Sequence, residues 1–83
     1  RRERDINSVI IFGIRTEQCC ETTARVASDL GYAVTFVSEA TLTFPMTYRG
    51  ITLSAADIRH RTETVLSGRF ADIKTVAETL ESL

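Results

Sequence analysis

The stretch Gly13-Ile14-Arg15-Thr16-Glu17-Gln18-Cys19 holds the residue types and spacing best suited to chemistry. An apolar run precedes it and a helical pattern follows. It therefore lies at the carboxyl end of a strand, where open α/β sheets place their ligands. With Thr16 as N-cap, Cys19 falls in the first helical turn. There the positive end of the helix dipole favours a thiolate, the reactive form of the side chain. The free N–H groups of the same turn suit a developing oxyanion. A thiol beside oxyanion donors is half of an acyl-transfer site, and the other half is a base. The competing reading is a packing role, because free cysteine is among the most buried residue types. Cys20 is turned about 100° around the helix from Cys19 and reads as packing.

The elements that must position this thiol follow from the periodicity. Val9, Ile10, Ile11 and Phe12 form a continuous β-branched and aromatic run. It predicts a strand buried on both faces, as in a parallel sheet covered by helices. Beyond Thr16, the residues Cys19, Thr23, Val26, Ala27 and Leu30 make one stripe of a 3.6-residue period, and Gly31 stands where a helix-ending glycine belongs. Ala33-Val34-Thr35-Phe36-Val37 is the second strand, which completes a βαβ unit. Residues 38–53, with Pro45, Gly50 and several threonines, read as a long irregular loop. In it Phe44, Pro45, Met46 and Tyr48 are candidates to line a pocket. Ser54 opens a helix with Asp57 in the place of a capping-box glutamate, and Ile58, Thr62, Val65 and Leu66 form its inner face. Gly68 closes that helix. Ala71-Asp72-Ile73-Lys74 is a weak third strand, and Thr75 with Glu78 is a capping box for a last short helix. The order is βαβαβα: an α/β, three-layer αβα fold with a parallel, Rossmann-like sheet.

Composition narrows the function classes. The 83 residues make one domain, residues 1–83, 43% apolar and 25% charged, as in ordinary globular chains. Ten basic against eleven acidic residues leave a net charge of −1, which gives no electrostatic footprint for nucleic acid or an anionic membrane. No apolar run approaches the roughly 18 residues of a membrane span, and no signal segment opens the sequence. Adjacent Cys19 and Cys20 do not suit ordinary disulfide geometry, and with His60 as the one histidine there is no zinc-site spacing. The thiols are expected to be free, as in a reducing cytoplasm, and no metal or cofactor is expected in this chain.

The residues from Val9 to Ala24 resemble the nucleophile segment of the isochorismatase-like cysteine hydrolases, which include nicotinamidases and N-carbamoylsarcosine amidases. The shared pattern is a hydrophobic strand, then Gly13, Ile14, Thr16, Glu17, Cys19 and Thr23. It continues through Ala27 and Asp29-Leu30-Gly31-Tyr32 to Glu39-Ala40, where the family more often has Asp-Ala. The resemblance implies that Cys19 is the nucleophile attacking an amide carbonyl. It implies an oxyanion hole from the backbone N–H groups of Arg15 and Cys19, and a cis peptide between Ile14 and Arg15. Thr16 would support that loop.

The same resemblance implies residues that do not map here. The family's general-base Asp, its supporting Lys and, in nicotinamidases, the metal-binding Asp and histidines all precede the nucleophile. The residues before Cys19 match none of them. The expectation is therefore the carboxyl-terminal part of a hydrolase domain, inactive on its own. Asp5 lies at the wrong end of the first strand, roughly 20–25 Å away at strand rise. Asp57 reads as part of a cap, and His60, between Arg59 and Arg61, as a solvated helix residue. The expected partners are a small amide substrate and either further copies of the chain or the missing amino-terminal part. The alternative is a truncated, non-catalytic module that acts in assembly.

Overall fold

A computed structural model describes residues 7–83. Asp5 and the polar opening lie outside the described residues. Strand β1 (Ser8–Ile14) leads into a π-helical turn (Thr16–Cys20) that continues as helix α1 (Glu21–Asp29). Then come β2 (Ala33–Leu42), a hairpin of β3 (Met46–Tyr48) and β4 (Ile51–Leu53), helix α2 (Ala55–Leu66), the short β5 (Asp72–Ile73) and helix α3 (Val76–Glu81). The main sheet has the order β1-β2-β5, with both pairings parallel. The α/β parallel architecture is the one expected from the sequence.

Phe36 is fully buried and anchors the core, with Ile11 and Val34 beside it on the sheet. Cys20, Ala24 and Ala27 cover them from the π turn and α1, and Leu66 from α2. Val37 and Thr79 are buried on the opposite side, where α3 lies over β2. Three layers result: α1 with α2, the sheet, and α3.

Several expectations change. β1 is covered on one face only among the described residues. Ile11 is buried, whereas Ile10 is 41% and Phe12 67% exposed. The reason is geometric: the single short helix on that face packs over β2, and β1 is the edge strand. Residues 38–53 are not one irregular loop. β2 runs on to Leu42, and the hairpin follows, turning at Arg49 and Gly50 with φ of 52° and 79°. Two successive positive φ angles are what a tight two-residue hairpin turn requires.

The buried stripe of α1 also differs. Cys20, Ala24 and Ala27 face the core, while Cys19, Thr23, Val26 and Leu30 are exposed. The buried set, Cys20, Ala24 and Ala27, is itself one 3.6-residue period, and Ala27 belongs to both the expected and the observed stripe. The expected face follows the larger apolar residues Val26 and Leu30, whereas the small Ala24 and Ala27 are the ones packed in the core.

Candidate active site

β1 ends in a distortion that presents the chemistry-bearing segment. Ile11 pairs with Phe36 but Gly13 pairs with Thr41, so the ladder breaks between them. Gly13 has φ of 126°, a conformation open to glycine and strained for other residues. The Ile14–Arg15 peptide is cis. Arg15 is extended and its carbonyl accepts from the N–H groups of Gln18 (3.1 Å) and Cys20 (3.2 Å), which winds the π turn.

Thr16 does not cap the helix. It is fully buried, and its hydroxyl lies 2.7 Å from that of Thr41. Because Thr41 donates its one proton to the Ser38 carbonyl (2.6 Å), Thr16 is the donor of this pair. Thr16 thus ties the turn to the end of β2.

The two thiols are placed oppositely. Cys19 is exposed, and it borders a groove of about 300 Å³ with Ile10, Ile11, Phe12, Ile14, Cys20 and Thr23. Cys20 is 4% exposed and belongs to the core. Burial pushes the Cys20 thiol above its ordinary value, and the neighbouring Cys19 and Glu17 push it the same way. A thiol so placed stays protonated and packs.

Around the turn the contacts are polar. Glu17 accepts from the Thr43 hydroxyl (2.7 Å) and from the Gln18 amide (3.3 Å). Burial raises its carboxyl. The bonds from Thr43, its own backbone N–H and Gln18, with the Arg15 charge, outweigh that and hold it below the ordinary value. Arg15 itself stacks over Phe44, 5.0 Å from the ring centroid. At the start of α1, buried Glu21 accepts from Arg25 (3.1 Å), from Thr62 (3.0 Å) and from Arg61 on α2. This joins the two helices beside the turn.

Other candidate residues lie elsewhere. The His60 side chain is 83% exposed, with Nδ1 3.9 Å from Glu63. The Asp57 N–H donates to the Ser54 hydroxyl (3.0 Å), which caps α2. No three His, Cys, Asp or Glu residues gather in a metal-binding cluster among the described residues. Neither Met46 nor Tyr48 borders the Cys19 groove, and Phe44 packs against Arg15 instead. Sequence reasoning missed Thr41 and Thr43, whose alternate spacing at a strand end was a usable signal, and Glu21 with Arg61, for which no local signal exists.

Residues 1–70 match the Isochorismatase domain. The chain belongs to the isochorismatase family. It is 49% identical over 39 residues to Nicotinamidase 3 of Arabidopsis thaliana, covering 47% of the chain and 20% of the relative. An uncharacterized isochorismatase family protein of Bacillus subtilis (strain 168) is 35% identical over 72 residues, 86% of the chain and 38% of the relative. Among solved structures, a cysteine hydrolase from Pseudomonas syringae pv. phaseolicola 1448A superimposes with a TM-score of 0.87 at 31% identity. That match covers 93% of the chain and 37% of the hydrolase. The chain therefore spans well under half the length of these isochorismatase-family relatives. No helix among its described residues is long and apolar enough to cross a membrane.

Proposed function

We propose that this isochorismatase-family chain carries the nucleophile of a cysteine hydrolase that splits the C–N bond of a small amide. The observation that carries this reading is the contrast at the π turn. Cys19 stands exposed beside a groove at the end of a parallel strand, while its neighbour Cys20 is sealed in the core. Membership in a family that includes a protein named nicotinamidase and one named cysteine hydrolase supports the amide and the thiol.

In this mechanism the Cys19 thiolate attacks the amide carbonyl carbon and a C–S bond forms. The carbonyl oxygen becomes an oxyanion, stabilised by the N–H groups of Arg15 and Cys19. The oxyanion collapses, the C–N bond breaks and the amine leaves with a proton. Water then attacks the thioester carbonyl, the C–S bond breaks, and a carboxylic acid departs. The proton of the thiol must pass to a base. No Asp, Glu, Lys or His borders the groove among the described residues. The Asp and Lys used by the family are therefore to be sought outside these 83 residues, which are expected to show no amide turnover alone.

The test is ammonia release from a panel of small primary amides, nicotinamide included, by the complete protein and its Cys19→Ala variant. Turnover is expected to fall by at least about a thousandfold while the fold is kept. Retained turnover would place the nucleophile elsewhere. A second reading, a non-catalytic module acting in assembly, draws on exposed apolar residues that line one hollow, Ile10 and Phe12 of β1 with Leu80 of α3 and Leu83 just after it. A stable oligomer that turns over no amide of the panel, with Cys19 intact, favours it.

A further inference from the structure

The nucleophile turn is bound by one short segment just past the middle of the chain. Thr41 accepts from Thr16, Thr43 donates to Glu17, and Phe44 lies under Arg15. Thr43 is itself 5% exposed, so its hydroxyl is fixed by packing. Glu17 stands two positions before Cys19, yet it does not border the groove in which Cys19 lies. Its carboxylate is drawn to the β2 side by Thr43. We infer that Thr43 is a positioning residue, which holds the negative charge of Glu17 away from the Cys19 thiolate.

The physical argument is electrostatic. A carboxylate free to swing on a turn this tight would approach the thiolate and disfavour it, because like charges oppose ionisation. A hydrogen bond to a charged group is among the stronger ones and is enough to restrict such a side chain. The other charged or titratable groups around the turn are accounted for. Arg15 stacks on Phe44, Cys20 is buried, and Arg25 and Arg61 are both engaged by Glu21. β1 faces Cys19 with Ile10, Ile11, Phe12 and Ile14, none of which titrates. Glu17 is thus the charge that matters. Of its side-chain partners, Gln18 is an exposed neighbour on the same turn, whereas Thr43 is buried and draws the carboxylate toward another segment. The inference rests on Cys19 being the nucleophile.

The experiment is site-resolved alkylation of Cys19 by iodoacetamide between pH 6 and 9, read by peptide mass spectrometry. Thr43→Val, which keeps shape and loses the hydroxyl, should slow alkylation at pH 7 by at least about threefold and move the profile to higher pH. Thr43→Ser should restore the wild-type profile. In a Glu17→Gln background, Thr43→Val should have no effect on the profile, because the charge it restrains is gone. An unchanged Thr43→Val profile overturns the inference. So does a Ser variant that behaves like Val, or an effect that survives Glu17→Gln, since either would mean packing alone. Should Thr43→Val fail to fold, Thr43→Ala, with and without Glu17→Gln, decides by the same criteria. Turnover that survives Cys19→Ala would end the nucleophile reading separately, with the alkylation cycle still reporting on Thr43.

Discussion

Helices α1 and α3 begin in opposite ways. α3 is capped locally: the Thr75 hydroxyl accepts from the Glu78 N–H (3.0 Å) and Glu78 returns the bond to the Thr75 N–H (2.8 Å). α1 has no side-chain cap. It is entered through a π turn held by Thr16–Thr41, Thr43–Glu17 and Glu21–Thr62, partners 25 to 41 residues apart in sequence. The locally capped start is structural, whereas the start bound from a distance carries the exposed thiol. Orphan N–H groups satisfied by a cap are no longer available to a ligand. A turn fixed by neighbouring elements keeps its geometry and leaves donors free.

The largest expected effect concerns the two thiols. Iodoacetamide at pH 8 should modify Cys19 at least roughly a hundredfold faster than Cys20, as a buried structural cysteine is inert. Equal labelling would show that the turn opens in solution and that its distant tethers do not hold. The second effect sets the two helix starts against each other. Thr16→Val leaves a shape of similar size but strips a fully buried donor from Thr41, at a cost of about 2 kcal/mol. Thr75→Ala should cost about 1 kcal/mol, the usual value of a cap. Urea unfolding of both variants checks the order, and Thr75→Ala should leave Cys19 alkylation unchanged. A costlier Thr75→Ala would reverse the comparison.

The smallest effect is on pH. Glu17 in the folded chain sits below the ordinary carboxylate value, so it binds a proton less readily than in the unfolded chain. Its contribution to stability is therefore present above the ordinary value and is lost as pH falls through the lowered one. Thr43→Val should shrink that acid-side loss in urea midpoints measured from pH 6 down to pH 3. A variant with the wild-type acid profile would assign the shift to the other partners of Glu17.

Part of this site was legible in the residues alone. Gly13 before Thr16 and Cys19 marks a strand end passing into a helix, and that is where the groove lies. The caps at Ser54 and Thr75 were equally readable, because their bonds close within three residues. The face of α1 was not. The larger apolar residues, Val26 and Leu30, mark its exposed side, while the small Ala24 and Ala27 pack in the core. The alternation of Thr41 and Thr43 is a signal of extended chain, but their partners are not local: Thr41 pairs with Gly13, and Thr43, just past the strand, bonds to Glu17.

What the amino-acid order determined by itself was the α/β parallel plan, the caps at Ser54 and Thr75 and the thiol at the end of the first strand. Each of these depends on side chains within a few positions of one another. The tertiary structure decided which cysteine faces solvent, what restrains Glu17 and how α2 clamps the start of α1. Those outcomes rest on packing and hydrogen bonds between segments far apart in the chain.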